Sequence, residues 1–326
     1  MLAGALLAGG CVARPSGPPG AGAPPGSAPP GAVPPRTPSG SVSRSLQVGG
    51  ATREYLLHVP ARPAAERSLV VVLHGGFGSA QQAEAAYGWD ELADREGVLV
   101  AYPQGDGAAW NAGDCCGAPA RTGIDDVAFI EAVVADLQAR YGVTPARTFV
   151  TGMSNGALMA YRLACDTDLF AAVAAVAGTI VTGCAHPAPL SVLHIHGLDD
   201  DQVRFYGGRG SGPGGVDGMP IPDVIALWRK ADACSGAVVV QRPPLTTSRS
   251  SCADGRVVEL ITIAGAGHQW PGAPSRRRRQ PAEMAGRRQT AAPPAPFPEP
   301  SHTADESPAP PHRNQRLPAS GSSDSR

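Results

Sequence analysis

The sequence predicts an α/β fold: a mostly parallel, doubly wound sheet with helices on both faces and disordered termini. Three observations carry this. Leu69-Val70-Val71-Val72-Leu73 is an unbroken apolar run, as a central parallel strand covered on both faces requires. Short runs of that kind alternate with longer stretches of helical spacing through the middle of the chain, the mark of βαβ units. Of the 34 prolines of the 326 residues, 21 lie in 1–42 and 273–326, so the foldable part is shorter than the chain.

In chain order, residues 1–11, MLAGALLAGGC, read as a signal segment. Leu7-Ala8-Gly9-Gly10 before Cys11 is patterned like the end of a bacterial lipoprotein signal, although the leucine sits one place early and no basic stretch precedes it. A lipid on Cys11 would tether the protein to a membrane; an ordinary export signal is the alternative. Both place the protein outside the cytoplasm, extracellular or lipid-anchored at the outer face of a bacterial membrane. Residues 12–42 are Pro, Gly, Ala and Ser, and cannot bury a core, so they read as a disordered linker. The folded domain is expected over 43–272. Beyond it, 273–326 is rich in Arg, Pro and Ser, reads as a disordered tail, and resembles GC-rich DNA translated in a shifted frame. No apolar stripe for a closing helix is readable there.

Within the domain, Arg53 to Pro60 is predicted as an edge strand and Leu69–Leu73 as a central one. A single helix is expected from Gln81 to Glu96, with Trp89 and Leu92 on its apolar face. Val98 to Pro103 is another buried strand. Asp125 or Asp126 can cap a helix running to Tyr141, with Val127, Ile130, Val134 and Leu137 at helical spacing. Thr148 to Thr151 and the helix formers Ala157 to Ala164 enclose Gly152-Met153-Ser154-Asn155-Gly156. Further strands are expected at Ala171–Ala177 and Leu190–His196, a helix at Pro222–Ala233, and Val257–Ile263 closing the sheet.

Strand, G-x-S-x-G, helix is the context of a nucleophile elbow, with the glycines admitting a turn too sharp for side chains and Ser154 held hydroxyl outward. A serine nucleophile needs a base, and the base an acid to orient it. Asp199-Asp200-Asp201 follow the Leu190–His196 strand, and His268 follows the last strand. Both loops lie past the carboxyl ends of predicted parallel strands, where open α/β sheets collect their ligands. The order Ser, Asp, His is that of an α/β-hydrolase. On residues alone any of the three aspartates could be the acid; His268 is the base and His196 supports the acid loop. The oxyanion hole needs two backbone donors. One is the N–H of Asn155, and the other comes from the His74-Gly75-Gly76-Phe77 loop, with Gly76 and Phe77 equally eligible.

The stretches LHGGFGSAQQ, WNAGDCCG with GIDDVAFI, GMSNGALMAYRLAC, HIHGLDDDQVRFYGG and GAGHQWPG resemble the bacterial esterases known as polyhydroxybutyrate depolymerases. That group is similar in turn to feruloyl and acetylxylan esterases. The resemblance spans about Tyr55 to Gly272 and implies an α/β-hydrolase fold and a secreted serine esterase working through an acyl-enzyme without a cofactor. It implies Ser154 as nucleophile, Asp200 as acid and His268 as base. It also implies that Trp110, Asn111 and Trp270 line the cleft for an ester substrate, a polyester or an acylated fragment of plant polysaccharide. Acyl transfer by the same triad, or a catalytically impaired surface-binding protein, are the alternatives.

Seven cysteines, less Cys11, leave six for an exported domain. Cys165 with Cys184 and Cys234 with Cys252, the latter bracketing a hairpin, are the expected disulfides; adjacent Cys115 and Cys116 could pair or stay reduced. No spacing suits zinc. A formal net charge of −1 gives no electrostatic basis for binding nucleic acid.

Overall fold

The computed structural model describes residues 40–272. Its strands are β1 (Gly40–Val48), β2 (Ala51–Val59), β3 (Leu69–Leu73), β4 (Leu99–Pro103), β5 (Thr148–Met153), β6 (Ala172–Val176), β7 (Ser191–Gly197), β8 (Val238–Arg242), β9 (Leu245–Ser251) and β10 (Val257–Ile263). They form one ten-stranded sheet in the order β1-β2-β4-β3-β5-β6-β7-β10-β9-β8. The stretch from β4 to β10 is parallel, and antiparallel hairpins flank it on both sides. Helices α1 (Ala80–Tyr87), α2 (Trp89–Glu96), α3 (Gly117–Thr122), α4 (Asp126–Tyr141), α5 (Asn155–Asp166) and α6 (Ile221–Ala231) connect them. This is the α/β-hydrolase arrangement.

The period-two alternation of strands assigns the two faces. Leu69, Val71 and Leu73 of β3, with Val150, Val173, Val192 and Val258, pack under α4, α5 and α6. Val70 and Val72, with Val100 and Tyr102, pack under α1 and α2. On that second face, beside α2, Phe149, Ala172, Ala174 and Leu193 are only half-buried and floor a groove of about 370 Å³ edged by Trp89 and Glu259. Among the described residues no helix lies over it.

Four boundaries differ from expectation. The first strand begins at Gly40, inside the stretch read as linker, because Val42, Leu46 and Val48 alternate inward against β2. Arg53 to Val59 is therefore interior, paired with β1 and β4, and not an edge. The helix expected over 81–96 is two, since Gly88 adopts φ 72° between α1 and α2. β10 does not close the sheet: β9 and β8 extend it. Asp125, rather than Asp126, caps α4 by accepting from the Ala128 N–H. Asp126 turns inward and pairs with Arg53 at 2.7 Å, both buried. The signal segment with Cys11, the linker up to residue 39 and the tail from 273 lie outside the described residues.

Candidate active site

β5 enters the core beneath α5 and stops at Ser154, whose φ of 55° and ψ of −124° lie where non-glycine residues rarely go. Three hydrogen bonds hold it there: its N–H donates to the Val176 carbonyl, and its own carbonyl accepts from Ala157 and Leu158, each at 2.9 Å. The flanking glycines are required by close approach. A β-carbon at Gly156 would strike the carbonyls of Leu73 and His74, and one at Gly152 the backbone of Gly156. The turn is thereby wedged against the end of β3, and the Ser154 hydroxyl faces outward.

Two more strand ends bring partners to it. The loop after β7 is pinned to the loop after β10, with Leu198 donating to Ile263 at 3.0 Å and Asp199 to Ala266 at 2.9 Å. His268 Nδ1 lies 2.7 Å from Asp200 Oδ2, and His268 Nε2 lies 2.8 Å from Ser154 Oγ. The other carboxylate oxygen of Asp200 accepts from the N–H groups of Gln202 and Val203, both at 2.9 Å. Burial pushes the Asp200 carboxyl up, but the hydrogen bond and charge of His268, the Val203 N–H and the nearby His196 outweigh it and hold it below its ordinary value. An ionised Asp200 only accepts, so His268 carries its hydrogen on Nδ1 and leaves Nε2 free to accept from Ser154. Asp199 and Asp201 are exposed and take no part.

Ser154, at the N-terminus of α5, is followed by Asn155, whose N–H has no intrahelical acceptor. Gly76 faces it: a β-carbon there would stand 3.7 Å from Asn155 Cβ. Of the two candidates in that loop Phe77 is removed, because its N–H already donates to the Ala108 carbonyl at 2.8 Å. Gly76 remains. The loop is held by His74, whose Nδ1–H donates to Gly75 at 2.8 Å while Nε2 accepts from Gly105 at 2.9 Å.

A cleft of about 710 Å³ opens over Ser154 and His268, with Tyr87, Ala108, Met153, Cys116, Arg121 and Val216 among the residues that wall it. Trp110 and Asn111 do not line it. Trp110 is fully buried, its indole N–H donating to the His74 carbonyl at 2.9 Å. The Asn155 side chain grips the Trp110 backbone at both N–H and carbonyl, at 2.7 and 3.0 Å. Asn111 donates through its backbone to Asp126 and through its side chain to Ile124. Both residues support the elbow from behind. Trp270 stacks on Tyr87 with ring centroids 4.2 Å apart, backing the cleft wall rather than forming it. The sequence reading missed Tyr87 and Cys116 as wall residues, because nothing in a helix end or a Cys-Cys pair marks a cleft.

Cys165 pairs with Cys184 and Cys234 with Cys252, as expected, and Cys115 pairs with Cys116. Among the described residues no group of three or more His, Cys, Asp and Glu side chains is gathered to hold a metal ion.

Comparison with known proteins finds relatives among esterases. A family model described as esterase PHB depolymerase matches residues 53–204. The NocK protein of Nocardia uniformis subsp. tsuyamanensis, which carries an esterase name, is 35% identical over 262 residues, covering 71% of this chain and 74% of NocK. Feruloyl esterase C of Emericella nidulans is 32% identical over 172 residues; the match takes in 50% of this chain and 59% of that protein. Among solved structures, an acetyl xylan esterase from Aspergillus awamori superposes with a TM-score of 0.53 at 17% identity, over 70% of this chain and 94% of that one, a likeness of fold.

Proposed function

Because the chain belongs to the PHB depolymerase family of esterases, we propose that it is a serine hydrolase that cleaves carboxylic esters through an acyl-enzyme. The observation that carries the reading is the continuous line from Ser154 through His268 to Asp200, at 2.8 and 2.7 Å, on an elbow strained in the manner of a nucleophile.

An ester carbonyl enters the cleft and Ser154 Oγ attacks its carbon while His268 Nε2 takes the hydroxyl proton. The carbonyl oxygen becomes an oxyanion facing the N–H groups of Asn155 and Gly76, at the positive end of α5. Asp200 offsets the imidazolium charge. His268 then passes its proton to the leaving alkoxide, the C–O bond breaks, and Ser154 carries the acyl group. Water repeats the sequence: His268 takes its proton, the tetrahedral adduct collapses, and Ser154 recovers its hydrogen as the acid departs. The match to the PHB depolymerase family and the likeness to feruloyl esterase C favour a polyester or an acylated polysaccharide fragment as substrate. Three disulfides favour an oxidising compartment, so the enzyme acts outside the cytoplasm.

An organophosphonate should label Ser154 alone, and Ser154→Ala should lower aryl-ester hydrolysis by roughly three orders of magnitude, leaving the oxyanion hole and binding effects. Labelling of another serine, or an active Ser154→Ala protein, would reject the assignment.

A further inference from the structure

Behind Asp200 runs a second line of buried polar side chains that ester hydrolysis does not consume. Tyr161 stands on α5, about two turns beyond Ser154, and His194 and His196 share one face of β7; all three are buried. Tyr161 Oη lies 2.7 Å from His194 Nδ1, His194 Nε2 lies 3.0 Å from His196 Nδ1, and His196 Nε2 lies 2.8 Å from the Val203 carbonyl. His196 Nε2 is also 3.6 Å from Asp200 Oδ2, the oxygen that accepts from His268. The rings are nearly parallel along the line, 15° between Tyr161 and His194 and 8° between the two histidines, and Phe205 closes the far side edge-on to His196.

One end of this line fixes every hydrogen in it. A carbonyl only accepts, so His196 Nε2 carries the hydrogen and donates to Val203. Burial pushes both imidazoles below the ordinary histidine value, His194 well below, so each is neutral with one donor and one acceptor. His196 Nδ1 then accepts, His194 Nε2–H donates to it, His194 Nδ1 accepts, and the Tyr161 hydroxyl donates. Only this polarity satisfies all four groups.

We propose that Tyr161, His194 and His196 are positioning residues that tie the nucleophile's helix to the acid's loop and so fix where Asp200 meets His268. The inference rests on the reading of Ser154, His268 and Asp200 as the reacting line. Val203 is the joint: His196 grips its carbonyl, while its N–H grips the Asp200 carboxylate. A shift of Val203 therefore moves the carboxylate, and the ties reach from that point across β7 to the helix that begins beside Ser154. None of the three side chains lines the cleft. Their loss should register in turnover and leave substrate binding alone.

The test uses the full chain, an aryl acetate, and phosphonate titration to count working sites. A misplacement of about 1 Å costs on the order of 100-fold, so His196→Leu should lower kcat per titrated site about 10- to 100-fold with KM within about 2-fold. His196→Gln, which can restore a donor to Val203, should recover much of that loss. Tyr161→Phe, which leaves His194 Nδ1 without its donor, should cost about 3- to 10-fold in kcat on the same grounds. The far-downfield proton resonance of His268 Nδ1–H bound to Asp200 should persist in His196→Gln and shift or vanish in His196→Leu. A His196→Leu protein with unmoved resonance and per-site kcat within about 2-fold of the unaltered chain would overturn the proposal, whatever its melting point, because packing alone would then be lost. Parallel losses in kcat and KM across Leu and Gln would overturn it too. Should His196→Leu fail to fold, Tyr161→Phe is judged by the same readings. If the unaltered chain is not labelled at Ser154, the esterase reading itself fails and this inference falls with it.

Discussion

Three aspartates stand in a row, and the structure makes their unequal weight calculable. In Asp200→Asn the new amide has two orientations. With its N–H₂ toward His268, Nδ1 must become an acceptor, the ring hydrogen moves to Nε2, and His268 can no longer take the Ser154 proton. With its oxygen toward His268, the N–H₂ confronts the N–H groups of Gln202 and Val203, both 2.9 Å from that position in the carboxylate. Only the first orientation avoids donor facing donor in a site where the side chain has no access to water, so the amide adopts it together with the wrong tautomer of His268. Wrong-tautomer triads elsewhere lose about four orders of magnitude in kcat, roughly 5.5 kcal/mol of barrier. We expect a fall of about 10³- to 10⁴-fold in kcat for Asp200→Asn, with KM nearly unchanged, because the loss is confined to the transition state. Asp199→Asn and Asp201→Asn, altering exposed side chains, should stay within about 3-fold. Aryl-acetate kinetics on each purified variant, with circular dichroism to confirm folding, decide the matter. Equal, mild losses across all three, or Asp200→Asn retaining a tenth or more of its activity, would refute the tautomer reasoning.

Other predictions follow from the same geometry. Because Asp200 is held below its ordinary value, it stabilises the fold above a pH of about 4, and that contribution is lost as pH falls through the lower folded value. The stability gap between the unaltered chain and Asp200→Asn, measured by urea unfolding, should narrow as the pH is lowered across that window; a constant gap would contradict it. Arg53→Met leaves the Asp126 carboxylate, also the acceptor for Asn111 N–H, buried without its partner. The expected cost is about 3–5 kcal/mol in urea unfolding, and a cost under about 1 kcal/mol would show the pair to be dispensable. The groove beside Phe149 and Leu193 is apolar surface left to solvent by the described residues. At roughly 25 cal/mol per Å², covering it with an amphipathic helix placed after Gly272 in exchange for residues 273–326 should add about 2 kcal/mol and raise both thermal midpoint and turnover over the unaltered chain. No gain on either count would refute that view of the sheet.

The elbow, the acid loop and the base loop were legible because each is announced by residues that chemistry or sterics makes hard to replace: Gly152 and Gly156, the aspartates after a buried strand, His268 after the last one. Central strands were legible because burial on both faces leaves nothing but apolar side chains. The edges were harder. β1 alternates Val42, Leu46 and Val48 with polar residues over a half-exposed surface, a weaker signal next to a proline-rich stretch. Cleft residues were harder still. Trp110 and Asn111 sit near the elbow, but which way a loop side chain points depends on partners far away in sequence, here His74 and Ile124. The choice between Gly76 and Phe77 turned on one hydrogen bond to Ala108, which no pattern encodes. Two histidines two positions apart on a buried strand are an oddity, since period two puts both on one face. Only the Tyr161 hydroxyl and the Val203 carbonyl give that oddity a meaning.

The wedging of Gly152 and Gly156 against β3 and one another also says how such a protein can diverge. Neither glycine can be exchanged alone, because the obstructing atoms are main chain and a compensating shift would have to move a central strand. The path of the backbone through the turn is in that sense inherited whole. The serine is different: its side chain projects into the cleft, so a cysteine there would change the chemistry without disturbing the frame, whereas a β-branched threonine does not suit a φ of 55°. New specificities are therefore reachable through the loops at 104–123 and 204–219, one substitution at a time, while the frame that presents the nucleophile stays closed to stepwise exploration.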